Sequence, residues 1–252
     1  MRKLTLPIVA VLVAAAGAVC AKAAELPHEE WSFQSIFGTY DRAATHRGFQ
    51  IYKEICSNCH SLNLLSYRNL AQIDFSQDEI KQIAASVQVP GEPDDSGNPT
   101  ERAGRPSDHF HPPFPNEQAA RAANNGALPP DLSLMCKARE GGPDHIWAIL
   151  NGYGEPPAGF KLNDGMNYNK YFEAGAQQIA MPPPLSDGAV TFADGTQATV
   201  PQMAHDVATF LCWAAEPNLE ARHQTGIKTI LFLIVLTALL YAVKRKVWAD
   251  VH

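Results

Sequence analysis

The sequence predicts a mainly α-helical domain with long loops, carried on one C-terminal transmembrane helix. Helical segments with capping residues at their starts recur along the chain. Nineteen prolines against 17 glycines interrupt those segments too often for a regular helical bundle. Near the C-terminus, Thr229 to Val243 is 15 residues without a charge.

Composition narrows the class further. At 252 residues and 46% hydrophobic, the chain can build one good-sized domain or two small ones. Charged residues make up 18%, which excludes a disordered acidic tail. Five cysteines are too few for a disulfide scaffold, and a net charge of −6 disfavours a nucleic-acid partner, which would need Lys and Arg in excess.

The elements follow in order. Arg2 and Lys3, an apolar run from Leu4 to Val19 and the small residues around Ala21 and Ala23 read as a secretory signal over residues 1–23, with Cys20 discarded alongside it. Residues 24–226 are then the exported domain. Glu25 to Thr45 is a lead-in with Trp31, Phe33, Phe37 and Tyr40, and Asp41 to Ile55 reads as a helix. Ser76 to Val87 is a second helix, opened by Ser76 three residues before Glu79, the capping-box spacing. Gly91 to Pro115 is an extended loop, and Asn116 to Asn125 is helical. Asp131 to Arg139 and Pro143 to Leu150 follow as helices, the latter with Pro in its first turn. Asn151 to Ala180 is loop, Thr191 to Val200 a small hairpin around Asp194-Gly195, and Gln202 to Ala215 the last helix of the domain.

The anchor is placed at 227–247. Its uncharged run alone spans only ~22 Å at ~1.5 Å per residue, but Lys228 and Lys244 can snorkel, and Gly226 and Val247-Trp248 extend it. Lys244, Arg245 and Lys246 follow at once, so residues 248–252 form a cytoplasmic tail and the domain before the anchor is exported. Of 20 basic residues 13, and of 26 acidic residues 25, lie between Ala24 and Gly226, which leaves that stretch at −12. An acidic field of this size suits a basic protein partner.

Cys56-Ser57-Asn58-Cys59-His60 carries the chemistry. C-x-x-C-H is the attachment motif of a c-type haem. Two thiols three positions apart, where a helix begins, reach one edge of the macrocycle as thioethers, and His60 lies beneath the iron. A thioredoxin-like pair would want a βαβ context, and a zinc site would want a second ligand pair; neither is in the sequence. The sixth ligand is sought among four methionines of the mature chain. Met135 and Met203 sit in helical segments where core packing is the better reading, and Met166 lies in a polar loop. Met181 precedes Pro182-Pro183-Pro184, a stiff presentation suited to a weak thioether ligand, with His109 and His111 as rivals. His/Met ligation closes both axial positions and favours electron transfer. Cys136 and Cys212 remain; an even pair in an oxidising compartment invites a disulfide, but each lies on an apolar helix face where a free buried thiol acts as a small hydrophobe, and free thiols are the preferred expectation.

The chain resembles the cytochrome c1 family. The residues that carry the resemblance are Cys56–His60, the run from Arg121 through Asn124-Asn125-Gly126 to Pro129-Pro130-Asp131-Leu132-Ser133, Gly152-Tyr153 with Pro156-Pro157, Met181-Pro182-Pro183, and Trp213-Ala214-Ala215-Glu216-Pro217. They occur in order from about Trp31 through the anchor. The resemblance implies an enlarged class I cytochrome c-like domain with one covalently bound haem c, attached through Cys56 and Cys59 and ligated by His60 and Met181. It implies that Pro130 lies beside His60 and orients its ring, and that Arg139 partners a haem propionate. Six residues beyond Arg139, where family members often have Tyr, this chain has His145.

The implied function is one-electron transfer from a Rieske iron–sulfur protein to a soluble basic cytochrome c. It would operate beside cytochrome b in quinol–cytochrome c reductase, at a bacterial inner membrane with the haem domain in the periplasm. A membrane-anchored c-type carrier serving another complex is the alternative; a di-haem peroxidase would need a second C-x-x-C-H, and the sequence has one.

Overall fold

The computed structural model describes residues 26–250; the signal expected at 1–23 lies outside them. The described chain is mostly helical: α1 Arg42–Glu54, α2 Gln77–Ala85, α3 Glu117–Ala123, α4 Met135–Ala138, α5 Pro143–Asn151, α6 Val200–Ala215 and α7 Leu219–Val247. Two antiparallel pairs of short strands supplement them, β1 Gln88–Pro90 with β2 Glu101–Ala103, and β3 Asn167–Tyr168 with β4 Gln178–Ile179.

Local chemistry sets the helix starts. The Asp41 carboxylate accepts the Ala44 N–H at 3.1 Å and caps α1. Ser76 and Glu79 close a reciprocal capping box at the start of α2, and Asn116 caps α3. Each such cap contributes about 1 kcal/mol.

The core forms where α1 crosses α6. Gly48 permits that crossing, because a Cβ there would collide with the Asp206 carbonyl and the Phe210 side chain. Around it Phe49, Tyr52, Phe210 and Trp213 are buried, with Phe210 5.7 Å from Phe49 and 5.8 Å from Tyr52 between ring centres. Met203, Ala204, Val207 and Ala208 complete the buried stripe of α6. Arg47 of α1 reaches the fully buried Asp206 at 2.7 and 3.0 Å and Asp194 at 2.7 Å. Removing one partner of such a buried pair costs roughly 3–5 kcal/mol.

Several elements depart from the sequence expectations. Asp131 to Arg139 is helical only over Met135–Ala138, because the Asp131 carboxylate accepts the Ser133 N–H and the Leu132 N–H goes to the Ser61 carbonyl. That draws the first half into an irregular segment with a turn at Ser133-Leu134. Thr191 to Val200 forms a turn and no hairpin: Asp194 accepts the Thr196 N–H and faces Arg47. The loop from Asn151 to Ala180 contains β3 and β4, the loop from Gly91 to Pro115 contains β2 paired to β1 just ahead of it, and Tyr67–Ile73 is a 3-10 helix the sequence reading lacked.

Cys136 and Cys212 are bonded to each other, which corrects the expectation of two free thiols. Seen separately, each helix face is apolar enough for a small hydrophobe. The packing of α4 against α6, with Lys137 paired to Glu216 at 2.9 Å, brings the two Cα atoms to 5.0 Å, inside disulfide range.

The last helix, α7, has 29 residues, ~43 Å at ~1.5 Å per residue, and is long and apolar enough to cross a membrane. It begins eight residues before the expected anchor and ends with it at Val247. None of its apolar window is buried, unlike the stripe of a core helix.

Candidate functional site

The cysteine motif lies just past the C-terminal end of α1 and opens a single 3-10 turn, not an α-helix. Cys56–Asn58 form a 3-10 turn; the Cys59 and His60 N–H groups both donate to the Cys56 carbonyl, at 3.1 and 2.9 Å. The two thiols are free, Cys56 partly buried and Cys59 exposed. Burial pushes the Cys56 thiol up to about 12. A thiol that stays protonated at neutral pH is not the thiolate a redox-exchange pair requires.

His60 is fixed from two sides. The Tyr52 hydroxyl donates to its carbonyl at 3.3 Å. Its Nδ1 lies 2.8 Å from the Pro130 carbonyl oxygen. A carbonyl can only accept, so Nδ1 carries the ring proton and Nε2 keeps its lone pair for a ligand. Burial lowers the imidazole below its ordinary value, outweighing the opposing influence of the Pro130 carbonyl and the Asp131 carboxylate. The ring is therefore neutral near pH 7, the state in which it can bind a metal.

Asp131 explains why Pro130 is there. Its carboxylate accepts the Ser61 hydroxyl at 2.7 Å, the Asn63 N–H at 2.8 Å and the Ser133 N–H at 2.8 Å. Ser133 in turn accepts the Leu64 N–H at 3.0 Å. Two chain segments 70 residues apart are thereby clamped in register, with the Pro130 carbonyl over the imidazole. Burial alone would raise the Asp131 pKa; the hydrogen bonds from Ser133, Asn63 and Ser61 overcome it and hold it below the usual range. Sequence reading placed Pro130 but missed Ser61 and Asp131 as its supports. The signal was present: Asp131-Leu132-Ser133 has the spacing of an Asx turn.

Met181 directly follows the short β4 segment's loop, partly buried, ahead of its three prolines. The Tyr153 hydroxyl donates to its carbonyl at 3.1 Å and Asn167 Nδ2 at 3.4 Å. Burial pushes the Tyr153 phenol up, so it remains a donor. Beneath this, the fully buried Asn169 donates to the Ile149 carbonyl at 2.7 Å, tying the loop to α5. The residue before Tyr153, Gly152, is forced by this packing: a Cβ there would meet Asn169 and the Ala148 carbonyl.

Arg139 stands apart from the clamp. It is exposed, donates to the Ala138 carbonyl at 3.2 Å and makes no ion pair among the described residues. His145 lies close enough for Arg139 to add to the burial that lowers its pKa. Leu64, Leu128, Leu134 and Leu162 are large apolar side chains left exposed in the segments that carry or brace the site. Two free thiols and a neutral imidazole with one nitrogen committed form a donor set that fits a covalently attached, iron-bearing macrocycle.

The comparisons with known proteins agree. Residues 31–251 match the model of the Cytochrome C1 family. Cytochrome c1 of Rhodospirillum rubrum is 47% identical over 242 residues, covering 90% of this chain and 88% of that protein. The mitochondrial cytochrome c1 heme protein of Schizosaccharomyces pombe is 48% identical over 222 residues, 88% and 72% of the two chains. Cytochrome b/c1 of Bradyrhizobium diazoefficiens is 46% identical over 90% of this chain, which spans 36% of that longer protein. The chain belongs to the cytochrome c1 family.

Proposed function

We propose that this chain is the haem-bearing electron-transfer subunit of a quinol–cytochrome c reductase. In this reading one haem c is bound covalently, Cys56 and Cys59 hold it as thioethers, and His60 and Met181 are its axial ligands. The observation that carries the reading is the His60 Nδ1 contact with the Pro130 carbonyl beside two free thiols. A haem so ligated supplies a reversible one-electron couple with no open coordination position.

The chain's own residues do the rest. Pro130 holds the imidazole in one tautomer and orientation. Asp131, Ser61 and Ser133 keep that carbonyl in place, so the ligand need not reorganise as the charge at the site changes. Tyr153, Asn167 and the proline run fix the backbone of Met181, which favours a weak thioether bond that a mobile loop would lose. Arg139, exposed and with no acidic partner among the described residues, is available to a propionate.

We infer further that the domain at 24–226 is an enlarged class I cytochrome c-like domain in the periplasm, released from a signal at 1–23, held by a single pass at 227–247 and followed by a cytoplasmic tail at 248–252. It takes electrons from a Rieske iron–sulfur protein and delivers them to a soluble basic cytochrome c, assembled with cytochrome b. The sister reading, an anchored carrier for another complex, is separated by the subunits that co-purify with the native chain.

Haem content is tested by intact mass and alkaline pyridine spectra of the purified chain. One haem per chain, lost as a covalent adduct in Cys56→Ala/Cys59→Ala, is expected. Two alkylatable thiols at Cys56 and Cys59 in the mature protein would contradict the proposal.

A further inference from the structure

Ten consecutive residues of the lead-in, Trp31 to Tyr40, carry no charge, in a domain that is otherwise strongly acidic. Within them Trp31, Phe33 and Tyr40 are buried, whereas the adjacent Ile36 and Phe37 are 72% and 79% exposed. Outside α7 and its C-cap Trp248, the other large apolar side chains exposed among the described residues are the four leucines of the site segments.

The turn that presents the pair is rigid. Trp31 donates its indole N–H to Asp144 at 2.6 Å and stacks on His205 with ring centres 4.6 Å apart. The Gln34 N–H returns to the Trp31 carbonyl and the Gly38 N–H to the Ser35 carbonyl. The Asp41 N–H donates to the Ser32 hydroxyl at 3.2 Å. A Cβ at Gly38 would lie 2.7 Å from the Ser32 carbonyl oxygen, so the loop is closed as tightly as its backbone permits. Two neighbouring apolar side chains held outward on a braced turn mark a contact surface.

Its place on the domain says what it contacts. The Tyr40 N–H donates to Glu220 at 2.8 Å, and Arg42 binds the same carboxylate at 2.9 and 2.7 Å. The Tyr40 hydroxyl reaches the Cys212 and Glu216 carbonyls at the α6–α7 junction. Glu220 is in the first turn of α7, seven residues before Ile227, or ~10 Å along the helix axis. Phe37 precedes Tyr40 by three residues, a reach of at most ~10 Å. The polar layer on each side of a bilayer core is itself ~5–7 Å thick. The turn is thus within reach of the lipid surface, at the end of the domain from which the anchor leaves.

We propose that Ile36 and Phe37 insert into the interfacial layer of the bilayer beside α7, forming a second lipid contact of the haem domain. The proposal rests on the single-pass reading above. An uncharged stretch enters this layer without burying an ion, and aromatic residues are favoured there. One helix leaves the domain free to tilt about its exit point; a second contact several residues away from that exit fixes the tilt.

The test uses the full complex in native lipid. With Cys56 and Cys59 in thioether linkage and Cys136 joined to Cys212, Phe37→Cys adds one reactive thiol, which is spin-labelled. Power-saturation EPR compares its accessibility to oxygen, which partitions into lipid, with that to a water-soluble nickel chelate. Asp95→Cys serves as the aqueous reference and Val235→Cys as the lipid reference. The oxygen-to-nickel ratio at 37 should exceed that at 95 several-fold and approach that at 235. A ratio equal to that at 95 would overturn the proposal. So would an immobilised label shielded from both reagents, which would mean that another subunit covers the turn. A water-like ratio at 235 would overturn the anchor itself, and the loop contact with it.

Discussion

Replacing Cys136 and Cys212 together by Ala should destabilise the haem domain more than any other pair of small side-chain changes. The bond closes a loop with a sequence separation of 76. The chain-entropy relation assigns such a closure about 4.5 kcal/mol at 25 °C, as restriction of the unfolded chain. Cys212 is 3% exposed, so the lost sulfur adds a small cavity cost of up to about 1 kcal/mol. Over the roughly 190 residues from Leu26 to Ala215, an unfolding entropy of ~2.1 cal/mol/K per residue converts about 4.5 kcal/mol into a fall in Tm of roughly 10 °C. The assay is thermal unfolding of the detergent-solubilised full chain, followed by far-UV circular dichroism, variant against native. Thiol counting under denaturing, non-reducing conditions accompanies it, and the mature native chain should titrate no free thiol. A fall below about 2 °C would refute the reasoning, because the loop constraint would then be absent from the native protein. Two titratable thiols would refute the bond.

The remaining predictions concern the clamp, the acid limb and the acceptor. Asp131→Ala removes one acceptor from Ser61, Asn63 and Ser133 and should cost roughly 1–3 kcal/mol; an unchanged Tm would mean that the two segments hold register without it. Asp108, beside the Arg102 guanidinium, and Asp194, accepting from Thr196 and Arg47, are both held at about 2. Their stabilisation is complete above the ordinary carboxylate range and is lost as pH falls through the folded value, so Tm should decline from about pH 4 toward about 2. Asp194→Asn should flatten that decline, and an identical slope in the variant would remove Asp194 as its source. Electron transfer to a basic soluble cytochrome c should slow steeply as salt rises from ~0.1 M to ~1 M and the screening length falls from ~10 to ~3 Å. The proposed patch is the loop with Glu92, Asp94, Asp95 and Glu101. Asp94 caps its own turn through Ser96 and Asn98, so reversal at Glu92 and Asp95 isolates the charge effect; a rate independent of ionic strength in the native protein would refute steering.

The sequence was most legible where local chemistry decides. Asp41, Ser76, Asn116 and Pro143 mark helix starts by capping or fixed φ, and α1, α2, α3 and α5 begin there. Residues 31–251 fall in the family that the motifs suggested. Legibility failed where a distant partner outbids the local pattern. Asp131 to Ser133 look helical alone, but Ser61 and Asn63, about 70 residues earlier, take the Asp131 carboxylate. Asp194-Gly195 looks like a hairpin turn, but Arg47 claims the Asp. Cys136 and Cys212 each look like core hydrophobes, and only the packing of α4 on α6 brings them together. In the site, the C-x-x-C-H run is plain in the sequence, and the place of Pro130 beside His60 was implied by the family resemblance; the 2.8 Å contact of His60 Nδ1 with the Pro130 carbonyl agrees with it. The Ser61–Asp131–Ser133 clamp is a tertiary arrangement with only a two-residue turn signature to announce it.

The central claim is that His60 and Met181 hold the iron of one haem on this chain. It is tested most directly by the spectrum and ligand reactivity of Met181→Leu, with the native protein alongside. The native ferric protein should show the weak far-red charge-transfer band of a Met–iron bond and no reaction with carbon monoxide when reduced. The variant should lose the band, bind carbon monoxide and drop sharply in reduction potential, with the covalent haem retained. A variant that keeps the band and still excludes carbon monoxide would contradict the account and assign the sixth position to another residue.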